Sequence, residues 1–141
     1  MSEPALHLIG SLGDRGVLFD AAQVKAVIDV GEIVPAPGAA PAVRGLTALR
    51  SRVVTVIDSW QVLGLPAPDG ERRRAVITSV EGQLYAVLVD GMEDVAPVEV
   101  APLAPGVAVG DRWSAVAAGS AVRDGQPMLV IDLPRLVSRV A

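Results

Sequence analysis

Two aspartates stand where an enzyme could use them. Asp58 and Asp132 each end an apolar run with the same tripeptide, Val56-Ile57-Asp58 and Val130-Ile131-Asp132. Carboxylates at strand ends can serve as general acid and base when a fold brings them to one substrate. Their recurrence 74 positions apart points instead to one structural task done twice. Each precedes a short amphipathic segment, and aspartate there caps a helix by accepting backbone N–H bonds. His7 is the single histidine, and there is no cysteine, so no second soft or imidazole ligand completes a metal site. It is expected in the core or at a sheet edge. No glycine-rich loop links a strand to a helix as phosphate binding requires. Neither a Ser-His-Asp set nor a cysteine nucleophile can be assembled. The expectation is no catalytic residue, no metal and no cofactor.

The elements that would carry a non-catalytic function follow from composition. The 141 residues suit one domain. Hydrophobic residues make up 51% but aromatics only 3%, so the core must be aliphatic. Valine supplies 24 positions, and its branched side chain favours half-buried strands. Eleven prolines and 14 glycines punctuate the apolar runs at the spacing of a barrel or sandwich. The net charge of −4 and pI near 4.9 argue against a general binder of nucleic acid or anionic membrane, both of which need a basic face. The cluster Arg72-Arg73-Arg74 reads as a solvated linker or strand start. Met1-Ser2-Glu3-Pro4 offers no positive region ahead of an apolar segment, so no secretion signal is expected, and no apolar run approaches the roughly 18 residues of a membrane span. A soluble, cytoplasmic protein without direct membrane insertion is expected.

The chain echoes itself. Besides the Val-Ile-Asp repeats, Gly45 is answered by Gly119 and Leu63 by Val137, again 74 positions on. Each half offers about five short strands, including hairpins over 6–20 and 75–90, strands over 24–34 and 95–100, and Pro-Gly loops after them. One helical turn is expected within 21–27, and short helices are expected after Asp58 and Asp132. Five strands leave two unpaired edges unless the sheet closes. The reading is therefore all-β: two small five-stranded barrels packed together within one domain over 1–141. One closed barrel per half is the economical solution, with approximate halves 1–66 and 72–141 and exchange of terminal strands between them left open.

The stretch 43–64 carries the most specific pattern. Gly45, Leu49, Arg50, Val56, Ile57 and Asp58 match, in order, a run that resembles the signature of the CheW-like family of bacterial chemotaxis adaptors. Ala48, Ser51, Thr55 and Ser59 stand where that family usually has Asn, Gly, Pro and Leu. Residues 88–95 and 128–136 are similar to its second-half and C-terminal runs, with Met92 in place of an aliphatic residue. The resemblance implies a non-enzymatic adaptor that couples chemoreceptors to a CheA-type histidine kinase. It would dock beside the kinase regulatory domain and hold the receptor's cytoplasmic tip in a groove between the barrels, at membrane-associated arrays.

Carried over by position, that resemblance assigns receptor contact to Leu49, Arg50, Ser51 and Val27. It assigns kinase contact to Val24, Lys25, Ala26 and Arg44. Ala26 replaces the family's usual acid, and Ser51 resists the positive φ that glycine permits. These departures suggest an alternative, a scaffold of the same fold for a different histidine kinase outside chemotaxis. A third possibility, an enzyme or small-ligand domain, rests only on the frequency of ligand sites in clefts. Trp113, following Gly110-Asp111-Arg112, is expected in an exposed loop as a further partner contact, because tryptophan anchors interfaces. Trp60 is expected to pack on its own barrel. Arg52 reads as a solubilising loop residue.

Overall fold

The computed structural model describes residues 3–103 and 109–140. Alternating apolar and polar positions in the valine-rich runs give strands β1 (Ala5–Leu12), β2 (Arg15–Asp20), β3 (Ala26–Asp29), β4 (Val43–Leu49) and β5 (Arg52–Ile57). The second half supplies β6 (Arg74–Val80), β7 (Gln83–Leu88), β8 (Gly91–Val98), β9 (Ala117–Arg123) and β10 (Gln126–Ile131). Short helices α1 (Ser59–Leu63), α2 (Asp111–Val116) and α3 (Leu133–Ser138) lie between or after them.

These strands form two five-stranded sheets, in the orders β8-β1-β2-β10-β9 and β3-β6-β7-β5-β4. The all-β expectation of two five-stranded barrels holds. The expectation of one barrel per half does not. Hairpin β1–β2 sits between β8 and β10, and hairpin β6–β7 sits between β3 and β5. Each inserted hairpin gains a parallel partner: Leu18 lies opposite Val130, and Ala86 lies opposite Val56. All four residues are buried. Each apolar hairpin is thereby paired along both edges, by strands from both halves of the chain.

Among the described residues, one antiparallel bridge closes each sheet, Val34 to Leu46 in one and Ala101 to Ser120 in the other. In both, the two residues exchange backbone hydrogen bonds of 2.8 Å in each direction. The repeated glycines explain why the chain can pass there. A Cβ on Gly45 would lie 2.4 Å from the Val34 carbonyl oxygen, and one on Gly119 would lie 2.7 Å from that of Ala101. The close approach of two backbones, which only glycine allows, is the reason for the echo.

Burial follows the strand period of two. In β2, Leu18 points into the first barrel with Ile9, Ala121, Met128 and Val130. Its neighbours Val17 and Phe19 point the other way, into a larger core with Leu129, Ile131, Val76, Val87 and Trp60. Strands β2 and β10 therefore bury both faces, and the barrels share one apolar wall.

Polar bonds fix the joints. Asp58 accepts from the Gln61 amide at 3.0 Å and Asp132 from the Arg135 amide at 3.1 Å, each as the N-cap of the following helix. Their own amides donate to Ala42 and Val116, at 2.7 and 2.8 Å, residues themselves 74 positions apart. Capping accounts for both carboxylates. His7 is buried on β1 with Nδ1 2.7 Å from the Ala5 carbonyl oxygen. Trp60 is buried as expected.

Three elements differ locally from expectation. The helical turn expected within 21–27 is a 3-10 turn over Ala21–Gln23, capped by Asp20. The strand expected over 24–34 shortens to β3 plus the bridge at Val34. The strand expected over 95–100 begins earlier, at Gly91, and ends at Val98.

Replacing Gly45 by Ala should destabilise the protein by about 1–3 kcal/mol, the cost of forcing atoms into a packed site. Gly31→Ala, where an added Cβ meets nothing within 4 Å, should change the urea midpoint little. Equal midpoints for the two variants would contradict this account of barrel closure.

Candidate functional site

The turn between β4 and β5 is the most unusual local structure. Arg50 and Ser51 take φ of 49° and 68°, the left-handed pair that a type I′ hairpin turn requires. Two other hairpins meet the same demand with glycine at the second position, Glu81-Gly82 and Asp124-Gly125. A left-handed conformation costs an ordinary L-residue roughly 1–2 kcal/mol. Here two non-glycine residues bear it in succession. Backbone strain of this kind concentrates where side chains are needed for binding.

Beside the turn lies an apolar recess lined by Glu32, Val34, Leu46, Thr47, Ala48 and Val53. Val53, on β5, is 69% exposed, and Val34, at the closing bridge, is 54% exposed. Arg50 and Arg52 are exposed and, among the described residues, neither has an ion pair. Uncommitted guanidinium groups beside exposed valines suit a partner protein that brings both apolar contacts and carboxylates.

The other sequence-derived candidates lie on the same barrel. Val24 precedes β3, and Ala26 and Val27 lie on it, all half-buried against the core. The Lys25 side chain is exposed, while its amide donates to the Ile77 carbonyl at 2.8 Å. Arg44, on β4, is paired with Asp58 at 2.8 Å, so part of its binding capacity is already used. Leu49 is half-buried at the end of β4.

A second, larger cleft opens on the flank of the first barrel. Its wall is the β1–β2 turn, its floor includes Leu12, Met128 and Leu129, and Leu65 and Trp113 border it. At about 1190 Å³ it exceeds the roughly 300–1,000 Å³ of ordinary small-molecule sites. None of the eight residues assigned to receptor or kinase contact lines it. Trp113 does, but not as expected: it belongs to α2 rather than to a loop, and its ring is buried. The Arg15 guanidinium lies 4.9 Å from its ring centroid, a cation–π contact that holds the indole against the cleft wall. Helix α2 has six residues and no side-chain cap, too little periodicity to be read from sequence.

The arginine triplet is structural, each residue differently. Arg72 bonds Asp90, Arg73 donates to the carbonyls of Val30 and Gly31 at 2.9 Å each, and Arg74 begins β6. Among the described residues no cluster of three His, Asp or Glu side chains could hold a metal ion. None of their helices is long and apolar enough to cross a membrane.

Comparison with known proteins decides the family. The CheW-like domain description matches residues 7–141. The chain belongs to the CheW-like family. Relatives agree: a chemotaxis protein CheW of Thermotoga maritima is 20% identical over 129 residues, covering 92% of this chain and 85% of the relative. The crystal structure of the scaffolding protein TtCheW from Thermoanaerobacter tengcongensis superimposes with a TM-score of 0.82 at 25% identity, covering 94% of this chain and 92% of that one. This CheW-like protein is accordingly a non-enzymatic adaptor or scaffold of the chemotaxis type.

Ser51→Gly should relieve the strained turn and raise stability by about 1 kcal/mol, less what glycine's flexible unfolded state takes back. A higher denaturation midpoint in the variant is the expected reading; a lower one would show that the turn is not strained.

Proposed function

We propose that this protein couples the cytoplasmic tip of chemoreceptors to the regulatory domain of a CheA-type histidine kinase, in the cytoplasm at receptor arrays. What supports this reading most is the β4–β5 turn. Its two left-handed non-glycine residues sit beside an apolar recess and lie within the family's most specific motif. In this reading Leu49, Arg50, Ser51 and Val27 contact the receptor, whose helical tip also occupies the cleft bordered by Leu65 and Trp113. Val24, Lys25, Ala26 and Arg44 contact the kinase. Trp113 acts from within the cleft wall.

Nothing in this coupling needs bond chemistry. The adaptor raises the local concentration of kinase near receptor and fixes their mutual orientation, and both follow from two surfaces on one rigid body. Ala26 favours a second reading. On β3, where the family carries an acid, the chain presents a methyl group, so a different histidine kinase could be the partner.

Two measurements separate these readings. Arg50→Glu should remain folded yet bind a chemoreceptor cytoplasmic fragment at least tenfold more weakly, because interface arginines are frequent hot spots. Native-like binding by the variant would overturn the assignment. Affinity capture from the native lysate should recover a CheA-type kinase. Capture of another histidine kinase without CheA would favour the alternative.

A further inference from the structure

Asp90 lies in the short link between β7 of the second barrel and β8 of the first, and four polar contacts converge on it. Its Oδ2 accepts from the Gly13 amide at 2.6 Å and from the Trp60 indole Nε1 at 3.0 Å. Its Oδ1 accepts from Arg72 Nε at 3.2 Å, and its amide donates to the Ser11 carbonyl at 3.0 Å. The side chain is only 18% exposed. One carboxylate thus ties together the β1–β2 turn, helix α1 of the other barrel and the linker between halves. Charge-assisted bonds to a half-buried carboxylate are stronger than neutral ones and directional.

The turn that Asp90 holds is a wall of the large cleft, since Ser11, Leu12, Gly13, Asp14 and Arg15 all line it. Gly13 takes φ of 62°, and a Cβ there would lie 3.2 Å from Leu65, across the cleft border. The same turn delivers Arg15 to the Trp113 ring. The position of this wall therefore depends on a group that belongs to neither β1 nor β2. We infer that Asp90 is a positioning residue for partner recognition: by fixing the β1–β2 turn against α1, it sets the shape of the cleft. The inference rests on the reading that the cleft takes the receptor tip. Asp90 itself touches no partner. Its replacement should therefore weaken receptor binding and leave kinase binding, carried by β3 and Arg44 on the second barrel, as it is.

The test titrates the native full chain and Asp90→Asn with two probes, a chemoreceptor cytoplasmic fragment and a CheA regulatory domain. Backbone and indole N–H resonances are recorded on both proteins. Asparagine keeps the size but removes the charge and one acceptor. The Gly13 amide and Trp60 indole signals should shift. Receptor affinity should fall about fivefold, the scale on which residues remote from a ligand modulate its binding, with kinase affinity unchanged. Shifted resonances with unchanged receptor affinity would overturn the proposal, as would a parallel loss of both affinities. Should Asp90→Asn not fold, Arg72→Gln, at a more exposed position, removes one partner of the carboxylate and faces the same criteria. A native chain that fails to bind the receptor fragment would overturn the receptor reading itself. Native binding with an unaffected variant would overturn only the role of Asp90.

Discussion

Strands β2 and β10 are buried on both faces, and the rest of the molecule is arranged around that fact. A strand in an ordinary small barrel faces a core on one side and water on the other. Here Leu18 and Val130 fill the first barrel, while Val17, Phe19, Leu129 and Ile131 fill the core shared with the second. Small domains are marginal because so much of their surface stays wet. Sharing a wall lets two barrels of five strands each act as one larger core. The parallel pairing of β2 with β10 and of β7 with β5 follows, because each hairpin must reach the partner barrel to complete it.

Function depends on the same rigidity. An adaptor without chemistry works only through the fixed relation of its surfaces. The shared wall fixes that relation coarsely, and hydrogen bonds refine it: Asp58 and Asp132 cap the helices, Asp90 clamps the turn, and Arg112 lies over the end of α1, donating to the Gln61 and Val62 carbonyls at 3.4 Å. What is left free is informative by contrast. Arg50, Arg52 and Lys25, on the second barrel, are exposed with no ion pair among the described residues, as is Arg139 after α3.

Much of this was legible in the sequence, because the governing constraints are local. Valine weighting and turn spacing announced an all-β chain, and the repeat of Asp58 in Asp132 announced two caps rather than an acid–base pair. Gly45 and Gly119 were visible as a repeat, but their purpose was not. The Val34 and Ala101 carbonyls they accommodate are distant in sequence, and no periodicity encodes a barrel closure. The strand exchange stayed undecided for the same reason, since either pairing satisfies the alternation of β2 and β7. Trp113 misled because a six-residue helix is too short to show a face. Asp90 could be seen only as part of a motif, since its partners come from residues 11, 13, 60 and 72. The strain in Arg50-Ser51 was half legible: the missing glycine could be read, but its exposed apolar neighbours come from three separate segments.

The central claim is that one shared wall makes the two barrels a single cooperative unit. Amide hydrogen exchange on Ile131→Val, a small deletion at a fully buried position, tests it most directly. The account predicts that the slowest amides of β10, in the first barrel, and of β5 and β7, in the second, lose the same protection, about 1 kcal/mol. Loss confined to the first barrel, with the second unchanged, would contradict it.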